Sequence, residues 1–99
     1  MRIILHPEAE QEFTEAALYY ERQLPGLGAD FIAAVNVAVG DLRQFPHCWR
    51  LIDAVVRRGL VRRFPYAFYY WEKVRGEELE ILSISHSKRH PLYWTYRHE

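Results

Sequence analysis

Two groups of side chains carry charge and proton-transfer chemistry. Arg57, Arg58, Arg62 and Arg63 crowd around Leu60 and Val61. Guanidinium groups bind phosphate or carboxylate through paired, charge-assisted hydrogen bonds. Further along, His86, Lys88, Arg89, His90, Tyr93, Trp94 and Arg97 gather in one short span. Metal-free cleavage of RNA by its own 2′-hydroxyl needs a base, an acid and positive charge on the crowded phosphate. Arg62, Lys88 or Arg89 would supply that charge, and His86 or Tyr93 would move the protons. Each group also has a plainer reading. An edge strand carries charge to deter aggregation. A histidine at a strand end makes structural hydrogen bonds, and Tyr93 and Trp94 can dock a tail against a sheet edge.

Other chemistries find little support. The five histidines and the single cysteine are scattered. His86 and His90 lie four apart, but Pro91 opposes the helix that would align them on a metal. Cys48 beside His47 is only a dipeptide. There is no glycine-rich phosphate loop and no Gly-x-Ser-x-Gly elbow. The expectation is no metal and no cofactor.

These side chains must be positioned by regular elements. Arg2 to His6 alternates weakly and reads as a short strand ending at Pro7. Pro7 suits the first turn of a helix, and Glu8, Glu10 and Glu12 favour a helix N-terminus. Ala9, Phe13, Ala16, Ala17, Tyr20 and Leu24 recur at helical spacing on one face. Pro25-Gly26-Leu27-Gly28 breaks that helix. A second helix is expected to Gln44, on the stripe Leu27, Phe31, Ala34, Val35, Ala38, Leu42 and Phe45, widened by Ile32 and Val39. Pro46 stops it. The short break and the small residues Ala16, Ala17, Ala34 and Ala38 predict an antiparallel helix hairpin.

The remainder is strand-like. Val56–Phe64 is read as one strand carrying all four arginines. On it Arg58 and Arg62 share one face, and Arg57 and Arg63 the other. Tyr66–Val74 is dense in aromatics, Arg75-Gly76-Glu77-Glu78 is a turn, and Leu79–His86 is the last strand. Pro65 marks a bend or strand end. One face of the run Tyr66, Phe68, Tyr70 or of Tyr69, Trp71 is core, and the other is free for docking or base stacking. The predicted order is β-α-α-β-β-β, an α+β fold with a helix hairpin on a small antiparallel sheet.

Composition fits this picture. Ninety-nine residues, 49% hydrophobic and 15% aromatic, predict one packed domain spanning 1–99. The formal net charge is zero, but the signs are segregated. Residues 1–55 hold four basic and eight acidic side chains, a net of −4. Residues 56–99 hold nine basic and five acidic ones, a net of +4. A zero sum therefore does not exclude an anionic partner. One cysteine rules out an internal disulfide and fits a reducing compartment. The N-terminal apolar run is far too short for a signal peptide or a span. The expectation is a cytoplasmic protein with no membrane partner.

The ordered motifs resemble the RelE/ParE toxin superfamily. Arg57, then Phe64-Pro65-Tyr66 and Tyr70, resemble its pattern R-x-x-x-x-x-x-F-P-Y-x-x-x-Y. Ile81-Leu82-Ser83-Ile84-Ser85-His86-Ser87-Lys88-Arg89-His90-Pro91-Leu92-Tyr93-Trp94 resembles its ending. Pro7-Glu8-Ala9, Tyr19-Tyr20, Gly26-Leu27-Gly28 and Phe31 are similar to its helical half. The resemblance implies a RelE/ParE-like β-α-α-β-β-β fold and a toxin that a cognate antitoxin wraps and neutralises, in a hetero-oligomer. It implies one of two targets: DNA gyrase, bound without catalysis, or ribosomal mRNA, cleaved without metal. The Arg89-x-Pro91-x-Tyr93-Trp94 ending and the scarcity of lysine, with Lys73 and Lys88 alone, resemble the ParE-type branch more. For the nuclease branch the candidate catalytic residues are Arg62, His86, Lys88, Arg89 and Tyr93. Candidate contacts to target or antitoxin are Arg57, Arg58, Arg63, Arg89, Trp94 and Arg97. A binding module without toxicity is the third reading.

Overall fold

The computed structural model describes residues 1–88 and 95–98. Strand β1 (Arg2–Leu5) leads into helix α1 (Pro7–Gln23) and helix α2 (Leu27–Gln44). Strands β2 (Arg50–Leu51), β3 (Arg57–Leu60), β4 (Tyr66–Val74) and β5 (Glu78–His86) follow, and Thr95–His98 forms one 3-10 turn. The strands make one sheet in the order β1-β5-β4-β3-β2. It is an α+β fold, with the helix hairpin on one sheet face.

Local chemistry sets the boundaries. Pro7 opens α1, and the His6 ring Nδ1 accepts the Glu8 N–H at 3.1 Å as its cap. Gly26 precedes α2 with φ of 92° and has no capping side chain. Glu21 takes that role from the neighbouring helix. Its carboxylate accepts the N–H groups of Gly26 (2.9 Å) and Gly28 (3.0 Å), placing negative charge at the α2 N-terminus. A Cβ on Gly28 would lie 2.6 Å from the Ala17 carbonyl, so the two helices meet where only glycine fits.

The main core joins the hairpin to the sheet. Phe31, Leu42 and Leu79 are fully buried, with Phe68, Tyr70, Ile81 and Ile84 beneath them. Phe31 is ringed by Phe13, Tyr20, Phe64 and Tyr66 at centroid distances of 5.0–6.0 Å. Fully burying one such ring contributes about 1.5–3 kcal/mol. The opposite sheet face holds a smaller cluster of Val56, Ala67, Tyr69 and Leu82, with Trp71 against it. Alternation along β4 therefore sends Phe68 and Tyr70 to the helices and Tyr69 to the other side.

Four expectations need correction. The sheet is not wholly antiparallel, because β1 pairs parallel with β5. The chain leaves β1 for the helix hairpin and supplies β5 only after the meander. The predicted strand Val56–Phe64 stops at Leu60. Arg62 and Arg63 lie in the turn that follows, and Arg63 has φ of 73°, a left-handed conformation that ends an extended run. Arg62 and Arg63 therefore do not occupy alternate faces of a strand, as had been expected. Finally, β2 was not foreseen. It pairs antiparallel with β3 through a tight turn in which the Asp53 carboxylate accepts the Val55 and Val56 N–H groups. Leu24, Ile32 and Phe45, expected on the apolar helix stripes, are exposed.

Candidate functional site: a basic strand edge and its turn

Strand β3 and its two neighbouring turns gather the arginines. Arg50 of β2 lies directly opposite Arg58 of β3, and Arg58 lies opposite Tyr69 of β4. Like charges facing each other across a ladder are mutually destabilising. Tyr69 offsets part of this: the Arg58 Nε donates to its hydroxyl at 3.3 Å, and the guanidinium lies 6.0 Å from its ring centroid. Arg57 points to the helix side. Its Nη1 donates to the carbonyls of Trp49 (2.7 Å) and His47 (3.2 Å), which ties the chain leaving α2 to the sheet.

Gly59 sits between these side chains and the core. A Cβ there would come within 2.2 Å of the Phe68 ring. The backbone of β3 thus lies directly against a buried aromatic, and the missing side chain makes the space.

Arg62 and Arg63 are exposed, and among the described residues neither has an ion pair or hydrogen bond. They rim a shallow groove between α2 and the β3 edge. One part of it, about 220 Å³, is lined by Ala34, Val37, Ala38, Trp49 and Leu60 with Arg62 and Asp41. The adjoining part, about 240 Å³, shares Ala34, Val37 and Arg62 and adds Arg63 and Asp30. Val37 is 54% and Leu60 55% exposed. Because β2 pairs only with Arg57 and Arg58, the edge of β3 beside Leu60 is left open. The result is an apolar floor, a rim that carries Arg62 and Arg63 together with Asp30 and Asp41, and a strand edge unpaired among the described residues.

The end of β5 meets this surface. The Ser87 N–H donates to the Pro65 carbonyl at 2.8 Å, and Tyr66 pairs with His86. His86 and Lys88 therefore share one end of the sheet with Arg62 and Arg63. The His86 Nδ1 accepts the Lys88 N–H at 3.2 Å, and its ring packs 5.7 Å from that of Tyr66. Only the other ring nitrogen is left for proton transfer.

Arg97, expected among the contact residues, is placed elsewhere. Its side chain is 5% exposed and pairs with Glu8 at 2.8 Å and Glu12 at 3.0 Å. Its Nη1 also donates to the Leu82 carbonyl at 2.8 Å. Leu82 is the extra residue of a bulge in β5, since Tyr69 pairs with Ser83 but Tyr70 with Ile81. Glu12 completes the repair by accepting the Ile84 N–H. Tyr96 adds a hydrogen bond to Glu8. Arg97 thus fastens the last turn to α1. The candidates Arg89, Tyr93 and Trp94 lie outside the described residues.

Sequence reasoning missed Arg50, Val37 and the groove. Asp53 was the available signal for β2: an Asp directly after the apolar pair Leu51-Ile52 can close a turn through its own side chain. Among the described residues no three His, Cys, Asp or Glu side chains gather to hold a metal, and no helix is long and apolar enough to cross a membrane.

This architecture recurs in a solved structure. A chain of the chromosomal ParDE TA system from P. aeruginosa superposes with a TM-score of 0.73 at 20% sequence identity, covering 87% of this chain and 95% of that one. At that identity the likeness shows the fold: the chain has the RelE/ParE-like α+β fold. No protein-family description and no curated protein matches the sequence.

Proposed function

We propose that this chain is the toxin of a type II toxin–antitoxin pair, acting in the cytoplasm and silenced by a cognate antitoxin protein. The observation that carries the reading is the groove between α2 and β3, with its exposed apolar floor and, on its rim, Arg62 and Arg63, which are in no ion pair among the described residues. An amphipathic, acidic segment of a partner fits such a surface: apolar side chains on Val37 and Leu60, carboxylates on the arginines. The shared fold with a chain of a ParDE system supports the same reading.

Gyrase binding without catalysis is favoured as the toxic action. The ParE-like ending of the sequence and its scarcity of lysine support it. Cleavage of ribosomal mRNA is the second reading, motivated by His86 and Lys88 meeting Arg62 at one sheet end. A folded binding module without toxicity is the third.

Induced expression in a bacterial host separates them. Growth arrest is expected, relieved by co-expression of the protein encoded in the adjoining small reading frame. The purified chain is expected to block gyrase supercoiling or trap its cleaved-DNA complex, with transcripts left intact. Codon-biased mRNA cuts, lost in Arg62→Ala, would move the assignment to the nuclease. Unimpaired growth at high expression would overturn the toxin reading altogether. Arg62→Ala is also expected to weaken the antitoxin complex by roughly 1.5–3 kcal/mol, the range for a hydrogen bond to a charged group.

A further inference from the structure

A second surface, on the opposite flank of the hairpin, has the reverse electrostatic character. Between α1 and the ends of β4 and β5 lies a pocket of about 260 Å³ whose lining includes Glu12, Glu15, Tyr19, Tyr66 and His86, over Ile84. Three rings and two carboxylates line it and, among the described residues, no lysine or arginine does; Glu12 is already paired with Arg97, so Glu15 supplies the net charge. We propose that this pocket binds a cationic side chain, a guanidinium before an ammonium, presented by a partner polypeptide.

The rings are held in place from behind. Tyr20 packs on Tyr19 at 5.4 Å and on Tyr66 at 5.9 Å, and Tyr66 packs on His86 at 5.7 Å. Tyr20 in turn rests on Phe64 and Phe31 in the core. A cation over such faces is attracted by the ring quadrupole, and fixed rings need no ordering when it arrives. Tyr19 is 54% exposed, an exposure that packing does not explain.

The charges agree. Glu15 accepts a hydrogen bond from Gln11 at 3.0 Å and, among the described residues, is in no ion pair. Its charge is open to an incoming cation. Glu12 is held rigid by Arg97 and the Ile84 N–H, so it is a fixed wall of the pocket. The His86 Nδ1 accepts the Lys88 N–H, which fixes the ring that lines the pocket. Guanidinium is preferred because it is planar, weakly hydrated and able to stack on a ring while bonding a carboxylate.

The test uses the intact, isotope-labelled chain and three capped amino acids at constant ionic strength: N-acetyl-arginine methylamide, its lysine counterpart and its citrulline counterpart. Citrulline keeps the shape of arginine without the charge. The arginine probe is expected to shift the amides of Tyr19, Tyr66, Ser85 and His86 and to saturate, with lysine weaker. Citrulline is expected to bind at least roughly fivefold more weakly. Glu15→Gln and Tyr19→Ala change exposed positions and keep the fold, and each is expected to weaken the arginine probe roughly three- to tenfold. Equal binding of citrulline, affinity unchanged in both variants, or no shift at tens of millimolar would overturn the proposal. None of these readouts depends on growth arrest, so this site and the toxin reading stand or fall separately.

Discussion

Arg62 and Arg97 are the same residue type with opposite fates. Arg62 stands exposed on a turn, with no ion pair or hydrogen bond among the described residues. Arg97 is buried and spends its guanidinium on Glu8, Glu12 and the Leu82 carbonyl. The difference lies in the neighbourhood. The acidic first turns of α1 face the end of the chain and consume a cation there. The β2–β3 edge has arginine opposite arginine, and among the described residues the nearby Asp30 and Asp41 form no ion pair with Arg62. A guanidinium is available to a partner only where the fold has not already supplied an anion. Free arginines therefore mark a functional surface, whereas paired ones mark architecture.

The strongest way to break this comparison is to remove one cation from each side. Arg97→Ala leaves Glu12, mostly buried, facing a vacant site, and strips the Leu82 carbonyl of its donor. Breaking a buried pair from one side costs roughly 3–5 kcal/mol. That is a large fraction of the ~5–15 kcal/mol that holds a domain together. Arg62→Ala is expected to change stability by less than about 0.5 kcal/mol, as an exposed site does. Urea unfolding of both variants measures the contrast. Equal losses would erase the distinction between architectural and available arginines.

Much of the fold, though not this contrast, is legible in the sequence. Both helices, β4 to its last residue and β5 to within one residue follow from spacing, proline and aromatic density. These signals are local, which is why they sufficed. What failed was non-local. The parallel pairing of β1 with β5 depends on where a strand returns after the whole meander. Arg97 read as a surface cation because its partners, Glu8 and Glu12, lie at the other end of the sequence. The early stop of β3 was hidden because Arg62 and Arg63 sit in an unbroken run that looks extended. Phe64, which follows them, returns to the core against Phe31 and Tyr20, and the chain reverses at Arg63 to let it do so.

That reversal supplies a second, smaller test. An L-residue in the left-handed region is strained by about 1–2 kcal/mol relative to glycine. Glycine gives part of that back through the greater freedom of its unfolded chain. Arg63→Gly is expected to raise stability by about 0.5–1 kcal/mol while weakening antitoxin binding. Arg63→Ala is expected to weaken binding equally with no gain in stability. A glycine variant both more stable and fully bound by the antitoxin would remove Arg63 from the docking rim.

The smallest effect concerns a site between the two extremes. A cleft of about 460 Å³ at the far end of the sheet is lined by His47, Arg57, Glu72 and Arg75. There His47 pairs with Glu72, and the Gly76 N–H donates to the same carboxylate at 3.1 Å. The His47 hydrogen bond first, and then the Gly76 backbone, hold the Glu72 carboxyl below its ordinary value of 4.5. A carboxylate with a depressed folded pKa adds stability that is complete above its unfolded pKa. That stability is lost as pH falls below about 4.5 and through the folded value. His47 is 63% exposed, so solvent screening keeps the contribution below about 1 kcal/mol. His47→Gln is expected to return the Glu72 titration, followed by carboxyl NMR, toward the ordinary value and to flatten the acid limb of the stability curve. Glu72 stays partly depressed in that variant because the Gly76 bond remains. If the wild-type carboxyl titrates at 4.5 or above, the pair is an ornament of the surface. His47 would then join Arg62 among the side chains the fold leaves free.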